Sequence, residues 1–410
     1  LTAWSKTTSG AGQGSVGLVA GVVLLSLATL LYELTQIRVF AYCLHPVVAF
    51  SAIALAMLGF GLGATLLALK PAWSGGNLRR RLGALCAGLA ASIVLVNLAF
   101  SSSSTRIIEP GSLDIDTLWT AAVMLPSVVP YFLAGMATAL ILGSELARIG
   151  RIYFWNLLGS AAGCVLMIAL LRPLGAERLL LLAAALAGLG GLVLGWRSSR
   201  VAPWACAALA LLALGAMPVA ETVFELKPDT TGYNAMFARW EEKQGFDPAV
   251  RELSEWDPVG RLEVLRHQRE HVQVPEDVGY RVLTVDGGAM TLLLEGQTGG
   301  EWGGALFRDS IYGAAYHVRQ RPRVLVIGAG GGSDIEAALH WESPSVTGVE
   351  ISLSTLRAVT ETYREFAGWP EREEVELVHA DGRAFAKSTD RRFDVIQMSG
   401  VDTVTSHASG

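Results

Sequence analysis

Four glycines and one acid carry the chemistry that this sequence announces. Gly328, Gly330, Gly331 and Gly332 follow the apolar, β-branched run 324–327, and Glu350 ends the next expected strand about twenty residues later. Glycines at that place let the backbone turn tightly and lie close against a ligand. A helix expected to begin near Ser333, with that serine as N-cap, turns its free N–H groups toward the same point. A carboxylate at the end of the neighbouring strand can accept two hydrogen bonds from a ribose diol. The pattern predicts a nucleoside-type ligand, and its rival is a βα turn that holds nothing.

The elements that must position these residues follow from hydrophobic period. Strands are expected at 324–328, 346–350, 375–379 and 393–397, alternating with helices at 334–340, 354–366 and 383–387. Such βαβ alternation makes a doubly wound parallel sheet with its ligand at the carboxyl ends of the strands. Upstream, 261–266 and 280–285 alternate like strands, Asp286-Gly287-Gly288 marks a hairpin turn and 291–294 returns. That is a small β-meander, followed by a helix expected at 310–318.

Before Glu221 the composition changes. Segments 16–37, 47–69, 82–100, 118–142, 152–171, 179–196 and 201–220 each approach the length that crosses ~30 Å of hydrocarbon. About seven spans and a multi-pass protein of the cell membrane, in contact with lipid, are expected. Domain bounds are accordingly 1–220 for the helical bundle, 221–318 for the linker and β-meander, and 319–410 for the α/β domain. Gly59, Gly61 and Gly63, and Gly159 with Gly163, are small residues that let helices approach closely in lipid. Glu33 is an ionisable group inside the first span, with Arg38, Asn97 or Asn156 as partners and either a structural or a transport role. The basic loops put the N-terminus in the cytoplasm, so seven spans send the residues after Glu221 outside, where a cytosolic nucleoside is absent. A miscounted span, a further N-terminal helix or a truly external domain each resolve that conflict, and the side of the membrane stays open.

Other signals narrow the classes. The four cysteines, Cys43, Cys86, Cys164 and Cys206, lie in or beside the spans without metal or redox spacing. His267 and His271 fall in strand and loop, and no metal is expected. A net charge of −5 without a basic-aromatic stripe argues against a nucleic-acid partner.

The motifs VLVIGAGGG, TGVEIS, HADGRAF and FDVIQ, in that order and spacing, resemble the S-adenosylmethionine-type fold of the spermidine synthases. WDPVGRLEVL and LTVDGGAMT resemble that family's N-terminal β-hairpin domain. LLYELTQIRVF, MLGFGLG and IYFWNLLGSAAG resemble the membrane half of the fused transmembrane spermidine-synthase-like proteins. The resemblance implies decarboxylated S-adenosylmethionine, or S-adenosylmethionine itself, as the bound substrate. Gly328, Gly330 and Gly332 then face its amino-acid or aminopropyl end, Glu350 its ribose, and Asp381, followed by Gly382, its adenine amine. Asp381 as a plain turn residue is the alternative. It also implies three further strands beyond Gly410, roughly 80 to 100 residues by the length of βα units.

Two departures from the family pattern bear on activity. The aspartate of the family's glycine loop is Gly331 here. Its general-base aspartate, needed because an ammonium has no lone pair with which to attack, is replaced by Ser399, which leaves Asp402 as the remaining acid. Ser399 and Asp402 are therefore the catalytic candidates, and Asp309, Tyr312 and Tyr316 are candidates for an amine pocket. The expected function is a membrane-anchored aminopropyl or methyl transferase acting on a small amine. The alternative is a catalytically silent subunit or scaffold of a larger membrane complex.

Overall fold

The computed structural model describes residues 14–44, 49–73, 75–102, 122–196, 201–227, 250–266, 278–287, 289–296 and 301–400. His267, His271 and Asp402 lie outside the described residues. The chain divides into two compact units, Leu1–Lys227 and Pro228–Gly410.

The first unit is helical: Gly14–Cys43, Ser51–Leu69, Leu78–Ser102, Val128–Ser144, Ile149–Gly195 and Val201–Ala216. Among the described residues, six helical stretches are long and apolar enough to cross a membrane. The count of about seven differs because 152–171 and 179–196 fall in one run, Ile149–Gly195. That run is broken at Gly175, whose φ of 78° and ψ of 162° are not helical. The pieces 149–174 and 176–195 each reach the ~20 residues that a crossing requires.

Small residues explain how these helices meet. A Cβ on Gly59 would stand 2.6 Å from Tyr131 Cβ, and one on Gly63 2.6 Å from Phe132 O. Gly159 and Gly163 lie equally close to Val23 O and Leu27 O, whereas Gly61 faces open space. Polar side chains inside the helices bond locally or to each other. Ser26, Thr29 and Thr35 donate to carbonyls four residues back. Gln36 Nε2 donates to Ser127 Oγ (2.9 Å) and Tyr131 Oη donates to Gln36 Oε1 (2.7 Å). Glu33 is half-buried. Of its expected partners, Asn156 accepts from Ser26 Oγ (2.7 Å) and Asn97 Nδ2 donates to Ile93 O (2.8 Å).

The second unit holds two sheets around one hydrophobic core. Strands β1 (Val250–Trp256), β2 (Arg261–Arg266), β3 (Tyr280–Val285) and β4 (Ala289–Leu294) form an antiparallel meander in sequence order. Strands β5 (Arg323–Ile327), β6 (Ser345–Glu350), β7 (Val375–His379) and β8 (Val395–Gln397) form a parallel sheet of order β7-β6-β5-β8. The strand order reverses at β5, so the switch point at which such sheets take a ligand lies between the carboxyl ends of β5 and β8. Leu262, Val264, Leu283 and Leu293 of the meander share their core with Val324, Val326 and Val346 of the parallel sheet.

Two expectations are corrected here. The helix before β5 lies at Glu301–Asp309, and 310–320 is a succession of turns. Gly313 packs against the carbonyls of Phe307 and Arg308 too closely for any side chain, which folds the chain back there. The N-cap of the helix Ser333–His340 is Gly332 in the left-handed region (φ 98°), one residue before the serine expected in that role.

Candidate functional site

The turn that leaves β5 lies at the carboxyl edge of the parallel sheet. Gly328 and Ala329 donate their N–H groups to Val349 O at 2.8 and 3.1 Å, which ties the turn to the end of β6. Positive φ at Gly328 (79°), Gly330 (50°) and Gly332 (98°) favours glycine on backbone grounds, most strongly at Gly332.

Glu350 faces this turn. Its Oε2 accepts from Gly330 N (3.0 Å) and its Oε1 from Ser352 N (2.9 Å), with the residue 8% exposed. Its partners are backbone amides, Ile351 among them, and not an arginine. Burial raises its pKa above the ordinary carboxylate range, while the Ser352 and Gly330 amides pull it back. The charge of Asp257 nearby raises it a little further. Asp257 is in the β1–β2 turn, where its Oδ2 accepts from Ser354 N (3.1 Å) at the start of the next helix. Sequence reasoning passed over Asp257 because a WDPVG turn gives no sign of what it will meet.

The other side of the glycine turn touches protein. A Cβ on Gly331 would overlap Leu292 O of β4, and one on Gly332 would overlap the Trp369 indole. Gly331 N points at Thr291 Oγ1 at 3.4 Å. An aspartate therefore has no room at 331 while β4 lies where it does. Gly330 is the more open position, its added Cβ 3.3 Å from Thr291 Cγ2.

Asp381 caps the helix Gly382–Ser388, Oδ1 accepting from Ala384 N (2.8 Å), and is exposed. Gly382 lies against Ile327 so closely that a Cβ would collide with Cγ2, which seats this helix on the end of β5. Met398 stands 62% exposed.

Ser399, two residues past β8, donates from Oγ to Asp334 Oδ1. The same Asp334 oxygen accepts from Gln397 Nε2 (2.5 Å). Gln397 in turn donates to Tyr312 O (3.1 Å) and accepts from Tyr316 Oη (2.7 Å). Asp334 is 5% exposed in the first turn of its helix, and burial pushes its carboxyl up while the Ser399 and Gln397 bonds lower it. Tyr312 and Tyr316 thus gather here, while Asp309 pairs with Arg308 at the surface. An acid in the first turn after the glycines was the available signal for Asp334. Its meaning depends on Ser399, 65 residues on.

No protein-family model matches this chain. No curated protein matches it either. Among solved structures, a spermidine synthase in complex with the transition state analogue AdoDATO is a weak neighbour, with a TM-score of 0.28 and 19% identity over 37% of this chain. This chain covers 47% of that one, about half its length. A likeness of that strength carries no argument about activity, which rests on the residues.

Proposed function

We propose that the second unit binds an adenosyl ligand, decarboxylated S-adenosylmethionine or S-adenosylmethionine, and that the protein is a membrane-anchored aminopropyl or methyl transferase toward a small amine. The observation that carries the reading is the Glu350 carboxylate at the end of β6, held against the glycine turn by the Gly330 amide. Gly328 and Gly330 offer backbone to the ligand, Glu350 accepts the ribose hydroxyls, and Asp381 has an exposed second oxygen for an adenine amine. Chemistry is an in-line displacement: the amine nitrogen bonds the carbon next to the sulfonium, and the C–S pair leaves on a neutral thioether. Calorimetry on the detergent-solubilised chain tests it. Micromolar to submillimolar binding of decarboxylated S-adenosylmethionine, weakened at least about tenfold by Glu350→Ala, is expected, since charge-assisted hydrogen bonds contribute about 1.5–3 kcal/mol. No binding at millimolar ligand refutes the reading.

A second reading has its own support. β4 and Trp369 cover Gly331 and Gly332, and Ser399 stands where a base is needed. Those features fit a silent synthase-like module within a larger membrane complex. A stoichiometric partner in native purification, with no amine-dependent release of thioether, favours it over transfer.

A further inference from the structure

We infer that Asp334 is the final proton acceptor for the attacking amine, reached through the hydroxyl of Ser399. This rests on the transfer reading above. The argument begins with the orientation of Gln397. Its Oε1 accepts from Tyr316 Oη and its Nε2 donates to Tyr312 O, so the amide is fixed with its N–H toward Asp334. Asp334 is then an acceptor for Gln397 Nε2, Ser399 Oγ and the Ser399 backbone amide. A serine hydroxyl whose single proton is committed to a carboxylate presents only lone pairs to its other neighbours. Ser399 is half-buried and follows β8 at the carboxyl edge of the sheet, where doubly wound folds bind substrate. It therefore offers an acceptor to an incoming N–H.

The proton balance closes with groups on the page. An ammonium N–H passes its proton to Ser399 Oγ as the serine's own proton moves to Asp334 Oδ1, which leaves a neutral amine and a neutral Asp334. The amine nitrogen then bonds the electrophilic carbon, the C–S bond breaks, and its pair neutralises the sulfonium. An isolated serine is too weak a base for this, and an exposed aspartate too weakly basic to take a proton from an ammonium with useful frequency. Burial raises Asp334 toward the range where a base is effective. The titratable groups facing it are Tyr312 and Tyr316 from the turn segment, and β8 presents Gln397 and Ser399, which do not titrate.

The test measures thioether release from decarboxylated S-adenosylmethionine with 1,4-diaminobutane, using the full chain in detergent, beside calorimetric binding of the same adenosyl probe. Asp334→Asn is near-isosteric. It is expected to keep binding within about threefold and to lower turnover at least roughly 10²-fold, the scale of general-base loss. The acid limb of the pH–rate profile, which reflects Asp334 ionising, should vanish with it. Asp334→Asn combined with Ser399→Asp is expected to restore turnover at least tenfold over Asp334→Asn, because the carboxylate then meets the amine directly. A purely structural Asp334 gives no such rescue and leaves the limb in place. Turnover undiminished in Asp334→Asn, or no rescue, overturns the base assignment alone. Wild-type protein that binds the probe but releases no thioether overturns the transfer reading, and the assignment with it.

Discussion

Placing a methyl group on Gly331 separates packing from ligand binding at the glycine turn. Gly331 has no positive φ, so alanine there meets no backbone strain, only a steric conflict. The added Cβ overlaps Leu292 O and stands 2.8 Å from the Leu292 carbonyl carbon and 3.2 Å from Leu293 N. All three are backbone atoms, so no side chain can rotate away. The relief is a retreat of β4 by about 1 Å, at the upper end of overpacking costs, about 3 kcal/mol. β4 is an edge strand bonded to β3 alone, so the retreat falls on the β3–β4 ladder. Hydrogen exchange of the full chain reads this directly. Amides of 289–294 in Gly331→Ala should exchange roughly 10²-fold faster, since each 1.4 kcal/mol of local opening is about tenfold. Gly331→Asp, with a larger side chain, should be worse. Gly304→Ala, whose Cβ would stand 3.8 Å from the nearest atom, is the control and should leave those amides unchanged. Exchange of 289–294 within threefold of wild type in Gly331→Ala would mean that β4 does not lie on the turn.

Other outcomes follow from buried groups and close helix contacts. Glu336 is 5% exposed and neither carboxylate oxygen has a partner, so Glu336→Met should stabilise the second unit by about 1–3 kcal/mol, read as a higher melting temperature. Burial pushes its pKa well above the ordinary value, so the fold holds the proton more tightly than the unfolded chain does. Wild-type stability then falls as pH rises from the ordinary carboxylate range toward the raised value, and the advantage of Glu336→Met should widen over that window. In the helical unit, Gly159→Leu forces the helix Gly14–Cys43 off Val23 O. It should cost about 1–3 kcal/mol, seen as a lowered melting temperature in detergent, while Gly61→Leu should not.

Hydrophobic period made β5 legible, because a central strand buried on both faces reads as a continuous apolar run, while β6 (SVTGVE) was placed by its valines and its distance from the glycines. β1 was not legible, since VRELSEW carries charges where alternation would show apolar residues. Cross-strand pairs hold it instead: Arg251 with Glu263 at 2.9 Å, and Glu252 with Arg266 at 3.0 Å and Arg281 at 2.5 Å. The helix Glu301–Asp309 was masked by its paired glycines, and 310–318 imitated a helix through Ile311, Ala314, Ala315 and Val318. At the site, Glu350 and the glycines share one βαβ unit and could be read together. The set Asp334, Gln397, Ser399 and Tyr316 joins three distant stretches and could not.

That difference also decides how the nucleoside reading must be tested. Positive φ favours glycine at 328, 330 and 332, and β4 and Trp369 leave no room for a side chain at 331 and 332, so their presence does not distinguish a ligand site from a structural turn. Glu350 has structural duties too, because it satisfies the backbone amides of Gly330, Ile351 and Ser352, and its removal can weaken binding simply by loosening the turn. A thermodynamic cycle separates the two roles. Wild type and Glu350→Gln are each titrated with decarboxylated S-adenosylmethionine and with its 2′-deoxy analogue. Glutamine keeps the size and one acceptor oxygen but turns an N–H₂ toward one of these amides. If Glu350 holds the ribose, wild type should lose about tenfold or more on removal of the hydroxyl, the range of a charge-assisted hydrogen bond, and Glu350→Gln should lose far less. If Glu350 only braces the turn, both proteins lose the same factor. Equal losses would leave the carboxylate a structural brace, and the ribose would have to be bound elsewhere.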